Sequence, residues 1–160
     1  METKSTQNPG FKTITVNDKG FFSGYASVFD HVDDQKDVVL RGSFKQSLEK
    51  WEREGQWPKM LWQHNQKEPI GRWLFMEEDA RGLYVEGQLL LDVQKAHEAY
   101  ALMRAGAVDG LSIGYRVVRA QKNAKSAIRH IHEVDLLEIS VVTFAANQQA
   151  KITRVKKQDA

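Results

Sequence analysis

The sequence predicts a single α+β domain built on a mostly antiparallel β-sheet or barrel. Three observations lead there. Most apolar segments are short and rich in Val, Ile, Phe, Tyr and Trp, with Gly, Asn or Asp turns between them. Two stretches, residues 42–51 and 93–105, instead space their apolar residues as a helix does. Across 160 residues there is neither an internal repeat nor a linker-like break, and that length suits one domain.

Element by element, residues 1–10 are polar, end in Pro9-Gly10 and read as a disordered arm. Residues 11–16 alternate as a first strand, and Asn17-Asp18-Lys19-Gly20 is a hairpin turn leading to a strand over 21–29. Residues 30–37, with four Asp and one His, form a loop; lacking the Gly and terminal Glu of a calcium loop, it reads as solvated. A helix over 42–51 presents Phe44, Leu48 and Trp51 on one face, with Ser43 as its N-cap. Met60-Leu61-Trp62 is a short buried strand ending at Gln63-His64. Strands at 70–75 and 83–91 flank the polar turn 77–82. The helix over 93–105 buries Ala96, Ala99, Tyr100 and Met103 and stops at Gly106. Residues 111–118 are a strand, 120–126 a polar turn, and 128–144 one or two strands. The basic tail from Lys151 reads as a short fraying helix. Trp51, Trp57, Trp62 and Trp73 read as core or interface anchors.

Composition removes several classes of function. Lys plus Arg is 23 against 21 Asp plus Glu, and a net charge of +2 is too balanced to argue for nucleic acid or an anionic membrane as partner. With no cysteine there is no disulfide, thiolate metal site or Cys nucleophile. No run approaches the roughly 18 apolar residues of a membrane span, and the polar N-terminus has no signal-peptide h-region. Phosphate-loop and dinucleotide fingerprints are missing.

A nucleophile must then come from Ser, Thr, Lys, Asp or Glu. Ser112 lies in Asp109-Gly110-Leu111-Ser112-Ile113-Gly114-Tyr115, flanked by glycines that admit a close backbone approach; Ser112 is equally compatible with a plain alternating strand position. His64 ends an apolar strand, where an imidazole can take a proton from Ser and return it to a leaving amine, or simply sit at an edge. Glu138 lies within Leu136-Leu137-Glu138-Ile139-Ser140-Val141-Val142 and is costly there unless paired or turned to solvent; a carboxylate so placed can orient a histidine, and Asp135 competes for the role. Ser140 is the alternative nucleophile. His130 and His132 share a strand face and with His64 would make a metal-hydrolase site.

Taken in order, several segments resemble the prohead (procapsid maturation) proteases of tailed bacteriophages, relatives of the herpesvirus assembly proteases. They are Gly24-Tyr25-Ala26-Ser27-Val28-Phe29, Asp37-Val38-Val39 with Gly42-Ser43-Phe44, Leu61-Trp62-Gln63-His64 with Ile70-Gly71-Arg72-Trp73, Gly82-Leu83-Tyr84-Val85-Glu86-Gly87, Leu111-Ser112-Ile113-Gly114-Tyr115, Leu137-Glu138-Ile139-Ser140-Val141-Val142, and Ala145-Ala146-Asn147. The resemblance implies a mostly antiparallel β-barrel wrapped by a few helices. It implies a cofactor-free serine endopeptidase that cuts scaffold and capsid proteins, and itself, inside the procapsid in the host bacterial cytoplasm. In the relatives' order of His, Ser and a third member, His64 is general base and acid, Ser112 nucleophile, and Glu138 the group that orients His64. The separations are 112 − 64 = 48 and 138 − 112 = 26. The herpesvirus enzymes have a second His in the third place, so Glu138 carries over by position and role; His130 and His132 are the other candidates for it. Oxyanion donors are expected near Ala146 and Asn147. The resemblance also implies a homodimer or higher oligomer, a protease domain over 11–155 and a flexible tail over 156–160. The same fold without catalysis would be a capsid-assembly binding module.

Overall fold

A computed structural model of the chain describes residues 18–155. The expected arm at 1–10, strand at 11–16 and tail at 156–160 lie outside the described residues. Within them, eight strands and two helices follow in the order β1 (Phe21–Val28), β2 (Asp37–Val39), α1 (Lys45–Arg53), β3 (Lys59–Trp62), β4 (Asn65–Glu78), β5 (Gly82–Leu89), α2 (Gln94–Arg104), β6 (Gly110–Lys122), β7 (Arg129–Val142) and β8 (Ile152–Val155). The fold class is the expected one. A single mixed sheet runs β2-β7-β3-β4-β5-β1-β8, with β6 along the other side of β7. Its pairings are antiparallel except β2–β7 and β3–β7. The sheet curls into a half-barrel because the residues entering β8 reach both rims. Lys151 bridges Gly110, Ala150 accepts the Leu111 amide at 2.9 Å, and Lys151 accepts the Tyr25 amide at 3.0 Å.

One core fills the curl. Phe22, Met60, Ile70, Leu83, Leu89, Leu111 and Ile139 are fully buried, and Trp73 lies edge-on to Phe22 at 5.5 Å. Burying such side chains is worth about 1.5–3 kcal/mol each. The helices follow their sequence pattern: α1 brings Leu48 to the core, and α2 buries Ala96, Ala99, Tyr100 and Met103. Gly106, at φ +76°, turns the chain away from α2 in the left-handed region that favours glycine. The tryptophans are anchors, as expected. Trp51, Trp57 and Trp73 donate their indole N–H to the carbonyls of Leu136, Leu74 and Ile139.

Four local expectations are corrected. Ser43 does not cap α1; its hydroxyl contacts the Leu40 and Ile131 carbonyls, and the Glu78 carboxylate accepts the amides of Gly42 and Phe44 instead. Residues 152–155 of the tail are strand β8, because β1 has an edge there that takes Ile152, Arg154 and Val155 as partners. The turn expected at 120–126 starts later, since β6 pairs with β7 as far as Lys122–Arg129. Asp37 is not a solvated loop residue. It starts β2, its side chain is 3% exposed, and it forms a two-pronged ion pair with Arg129 at 2.9 Å.

Candidate active site

Strand β7 assembles the site. Its antiparallel pairing with β6 sets Ser112 opposite Ser140 and Gly114 opposite Glu138. Its parallel pairing with β3 sets Leu61 opposite Ser140 and Trp62 opposite Val141. Glu138 and Ser140, two residues apart on a strand, share a face. The chain then leaves β3 through a two-residue turn, Gln63-His64, and re-enters the sheet at Asn65, the partner of Trp62.

That turn has a backbone its residues do not favour. Gln63 and His64 have φ of 53° and 60°, the doubly positive pattern of a type I′ hairpin turn, where Asn-Gly is usual. Each such non-glycine conformation costs on the order of 1–3 kcal/mol and persists only when neighbours over-determine it. Here they do. The Gln63 amide donates to the Val141 carbonyl at 2.9 Å and the His64 amide to Ser140 Oγ at 3.0 Å. The Gln63 side chain makes a double contact with Thr143, donating to Oγ1 at 2.7 Å and accepting the Thr143 amide at 3.1 Å.

Three side chains meet in series. His64 Nε2 lies 2.9 Å from Ser112 Oγ, and His64 Nδ1 lies 2.5 Å from Glu138 Oε2. An ionised carboxylate only accepts hydrogen bonds, so the proton sits on Nδ1 and Nε2 keeps a lone pair for the Ser112 hydroxyl. Ser140 Oγ donates to the other carboxylate oxygen, Oε1, at 2.7 Å. Gly114 is needed for the arrangement: a Cβ there would lie 2.3 Å from Glu138 Oε2, so the carboxylate folds across the bare glycine. The Glu138 hydrogen bond and charge hold the His64 pKa above its ordinary value, against the opposing effect of burial. Glu138 is 17% exposed and His64 41%, so the carboxylate is held within the fold while the imidazole faces the cleft.

The cleft has a volume of about 580 Å³, within the range of sites that enclose a ligand. Ser112 and His64 line it together with Ala26, Ser27 and residues of the 31–37 loop. Tyr115 also lines it, with its hydroxyl 3.3 Å from Asp37; burial first, then the Asp37 charge, pushes that phenol up to about 12. The segment after β7 forms a rim carrying Phe144, 91% exposed, then Ala146 and Asn147. Asn147 is tied down: Nδ2 donates to the Val28 carbonyl at 3.1 Å and Oδ1 accepts the Gln149 amide at 3.0 Å. Among the described residues, no hydrogen bond uses the backbone N–H of Ala146 or Asn147.

Of the residues singled out from sequence, Ser112, His64 and Glu138 are thus brought together, with Ala146 and Asn147 lining the same cleft. Asp135 is not with them; it pairs with Arg116 at 2.6 Å. Ser140 is fully buried, which removes it as an alternative nucleophile. His130 and His132 sit lower on β7, where His130 is opposite Val38 and Gln121. Among the described residues no group of three His, Asp or Glu is placed to hold a metal ion. Sequence reasoning missed the Gln63–Thr143 contact, for which the sequence carries no signal. It also missed the supporting place of Ser140, whose i+2 spacing from Glu138 was the available clue.

Comparison with solved structures bears on the fold. The bacteriophage T4 capsid assembly protease superposes with a TM-score of 0.59 at 12% identity, covering 76% of this chain and 80% of that one. The KSHV protease, solved with a hexapeptide phosphonate inhibitor, superposes with a TM-score of 0.52 at 11% identity, covering 82% and 62%. The fold is the one these two viral proteases share. In sequence, the prohead protease of Enterobacteria phage HK97 is 38% identical over 161 residues, 99% of this chain and 70% of that protein. Residues 10–160 match the Caudovirus prohead serine protease family; the chain belongs to it, and its function is capsid maturation by proteolysis. That is the family and function expected from the ordered segments of the sequence. Among the described residues no helix is long and apolar enough to cross a membrane.

Proposed function

We propose that this chain is a serine endopeptidase in which Ser112 is the nucleophile, His64 the general base and acid, and Glu138 the carboxylate that orients His64. The observation that carries the reading is the unbroken series Glu138 Oε2–His64 Nδ1 and His64 Nε2–Ser112 Oγ, at 2.5 and 2.9 Å, opening on a cleft. Ser112 Oγ attacks the scissile carbonyl as its proton passes to His64 Nε2. Glu138 offsets the imidazolium charge that develops. The proton on Nε2 then goes to the leaving amine, and a water, activated by the same imidazole, releases the acyl group from Ser112. The backbone amides of Ala146 and Asn147, on the cleft rim without protein acceptors among the described residues, are the proposed donors to the oxyanion. No cofactor is needed for any step.

The substrates proposed are the capsid protein and the scaffold protein or segment of the same phage, cut inside the procapsid in the host cytoplasm, with the protease itself as a further substrate. Co-expression of the capsid or scaffold protein with wild type or with Ser112→Ala, followed by intact mass, tests both site and substrate. Wild type is expected to leave a discrete truncation. Ser112→Ala should lose it, because removing a serine nucleophile costs on the order of 10⁴–10⁶-fold. Equal cleavage by both would overturn the assignment of Ser112.

A further inference from the structure

We infer that Ser140 is a positioning residue of the reaction, one hydroxyl that fixes the Glu138 carboxylate and the His64 backbone together. This rests on the proposed roles of Ser112, His64 and Glu138 and deepens them. Ser140 is fully buried near the C-terminal end of β7, between Ser112 on β6 and Leu61 on β3. A hydroxyl has one proton to donate. Its two partners decide where that proton points: the His64 backbone N–H can only donate, so Ser140 Oγ accepts from it at 3.0 Å and must give its own proton to Glu138 Oε1 at 2.7 Å. The direction of the whole chain of hydrogen bonds follows. Glu138 accepts a hydrogen bond on each oxygen, from Ser140 and from His64 Nδ1, and the two together fix the orientation of its carboxylate.

The second bond matters as much. The His64 amide belongs to the left-handed turn, at φ 60°, and that turn aims the imidazole across β7 toward Ser112. The hydroxyl that orients the carboxylate therefore also restrains the backbone carrying the base. Gly114 is the complement on the neighbouring strand: its missing Cβ leaves the space into which Ser140 directs the carboxylate. A serine kept only for packing would need neither bond.

Ser140→Thr and Ser140→Val are nearly identical in shape, and only the first keeps the hydroxyl, so their difference isolates it from packing. The His64 ring pKa is read by NMR in the Ser112→Ala background, where it needs no activity. Glu138 is the charged group that shifts it, and the other ionisable groups along the cleft are His31, Asp33, Asp34, Asp37, Tyr115 and Arg129. Ser140→Val should bring the His64 pKa down toward its ordinary value, and Ser140→Thr should keep it raised. With Ser112 present, Ser140→Val should lower kcat at least about tenfold with little change in KM. Its loss should stay below the roughly 10⁴-fold of losing the orienting carboxylate itself. Thr should recover most of it. Equal His64 titration and equal kcat in Thr and Val variants would overturn the proposal, as would a loss confined to thermal stability. If Ser112→Ala retained cleavage, the serine reading would fail on its own, whatever the Ser140 variants do.

Discussion

Gly114→Ala should separate activity from stability. The added Cβ would stand 2.3 Å from Glu138 Oε2, 2.8 Å from Cδ and 2.9 Å from Cγ. An ordinary contact begins near 3.4 Å, so the carboxylate must retreat by about 1 Å. Retreating from a 2.5 Å hydrogen bond, it ends up to roughly 3.6 Å from His64 Nδ1, where no hydrogen bond remains. Misplacement on this scale costs about 10²-fold, and complete loss of an orienting carboxylate about 10⁴-fold. The expected fall in kcat/KM lies between them, about 2.7–5.5 kcal/mol of transition-state stabilisation. Folding should barely register the change. Gly114 has no positive φ, the atoms in the way end a flexible side chain, and alanine recovers about 0.5–1 kcal/mol over glycine in a strand. The net change should stay within about 1 kcal/mol, or roughly 2–4 °C in Tm.

The pH profile supplies the sharper reading. As the proposed base, His64 would have to be neutral to accept the Ser112 proton, and Glu138 raises its pKa. Wild-type kcat/KM therefore rises with pH through that elevated pKa and levels off above it. In Gly114→Ala the plateau drops and the acid limb moves to lower pH, because His64 has lost the partner that favours its charged form. The assay is hydrolysis of a fluorogenic peptide carrying the mapped capsid cleavage site, across pH, beside a thermal melt. A folded Gly114→Ala protein with unchanged kcat/KM and an unmoved acid limb would refute the role given to Glu138.

Two further outcomes are expected. Gln63→Ala removes both side-chain bonds to Thr143 and should lower kcat about tenfold while loosening the turn, read as faster amide exchange at Gln63 and His64; unchanged exchange would show that the Val141 and Ser140 contacts suffice. Asp37→Ala breaks a buried ion pair, a change that costs about 3–5 kcal/mol when both partners are buried. Arg129 is 41% exposed and can rehydrate, so about 2–3 kcal/mol and a Tm lower by roughly 5–10 °C are expected, checked by calorimetry.

Where the physics was local, the sequence could be read. The face of α2 emerged residue for residue because its contacts repeat every three or four positions. The β3 strand was legible from a local signal of another kind, a short apolar run that stops where Gln63-His64 begins. What escaped depended on distant partners. Ser43 has the chemistry of a cap, but Glu78, more than thirty residues away, takes that place. The tail 152–155 has no strand pattern of its own and becomes a strand because β1 offers an edge. Gln63-His64 does not look like a hairpin turn, since the favoured residues there are Asn and Gly; its conformation is imposed by β7 and Thr143. Ser112, His64 and Glu138 were named together through family resemblance, as no spacing rule brings positions 48 and 26 residues apart into one cleft.

The place of β7 gives the enzyme an order of birth. Ser112 and Glu138 come together by closing one hairpin, but His64 joins them only when β3 lies parallel to β7, across 74 residues of chain. Parallel pairing of that kind cannot be made by a turn; it waits for the intervening segments to be threaded. During synthesis, a ribosome that has released residues up to the end of β6 has produced both the serine and the histidine but nothing to hold them together. In the proposed site, the series Glu138–His64–Ser112 is therefore completed only once β7 is in place, and cutting ability would be among the last properties the domain acquires.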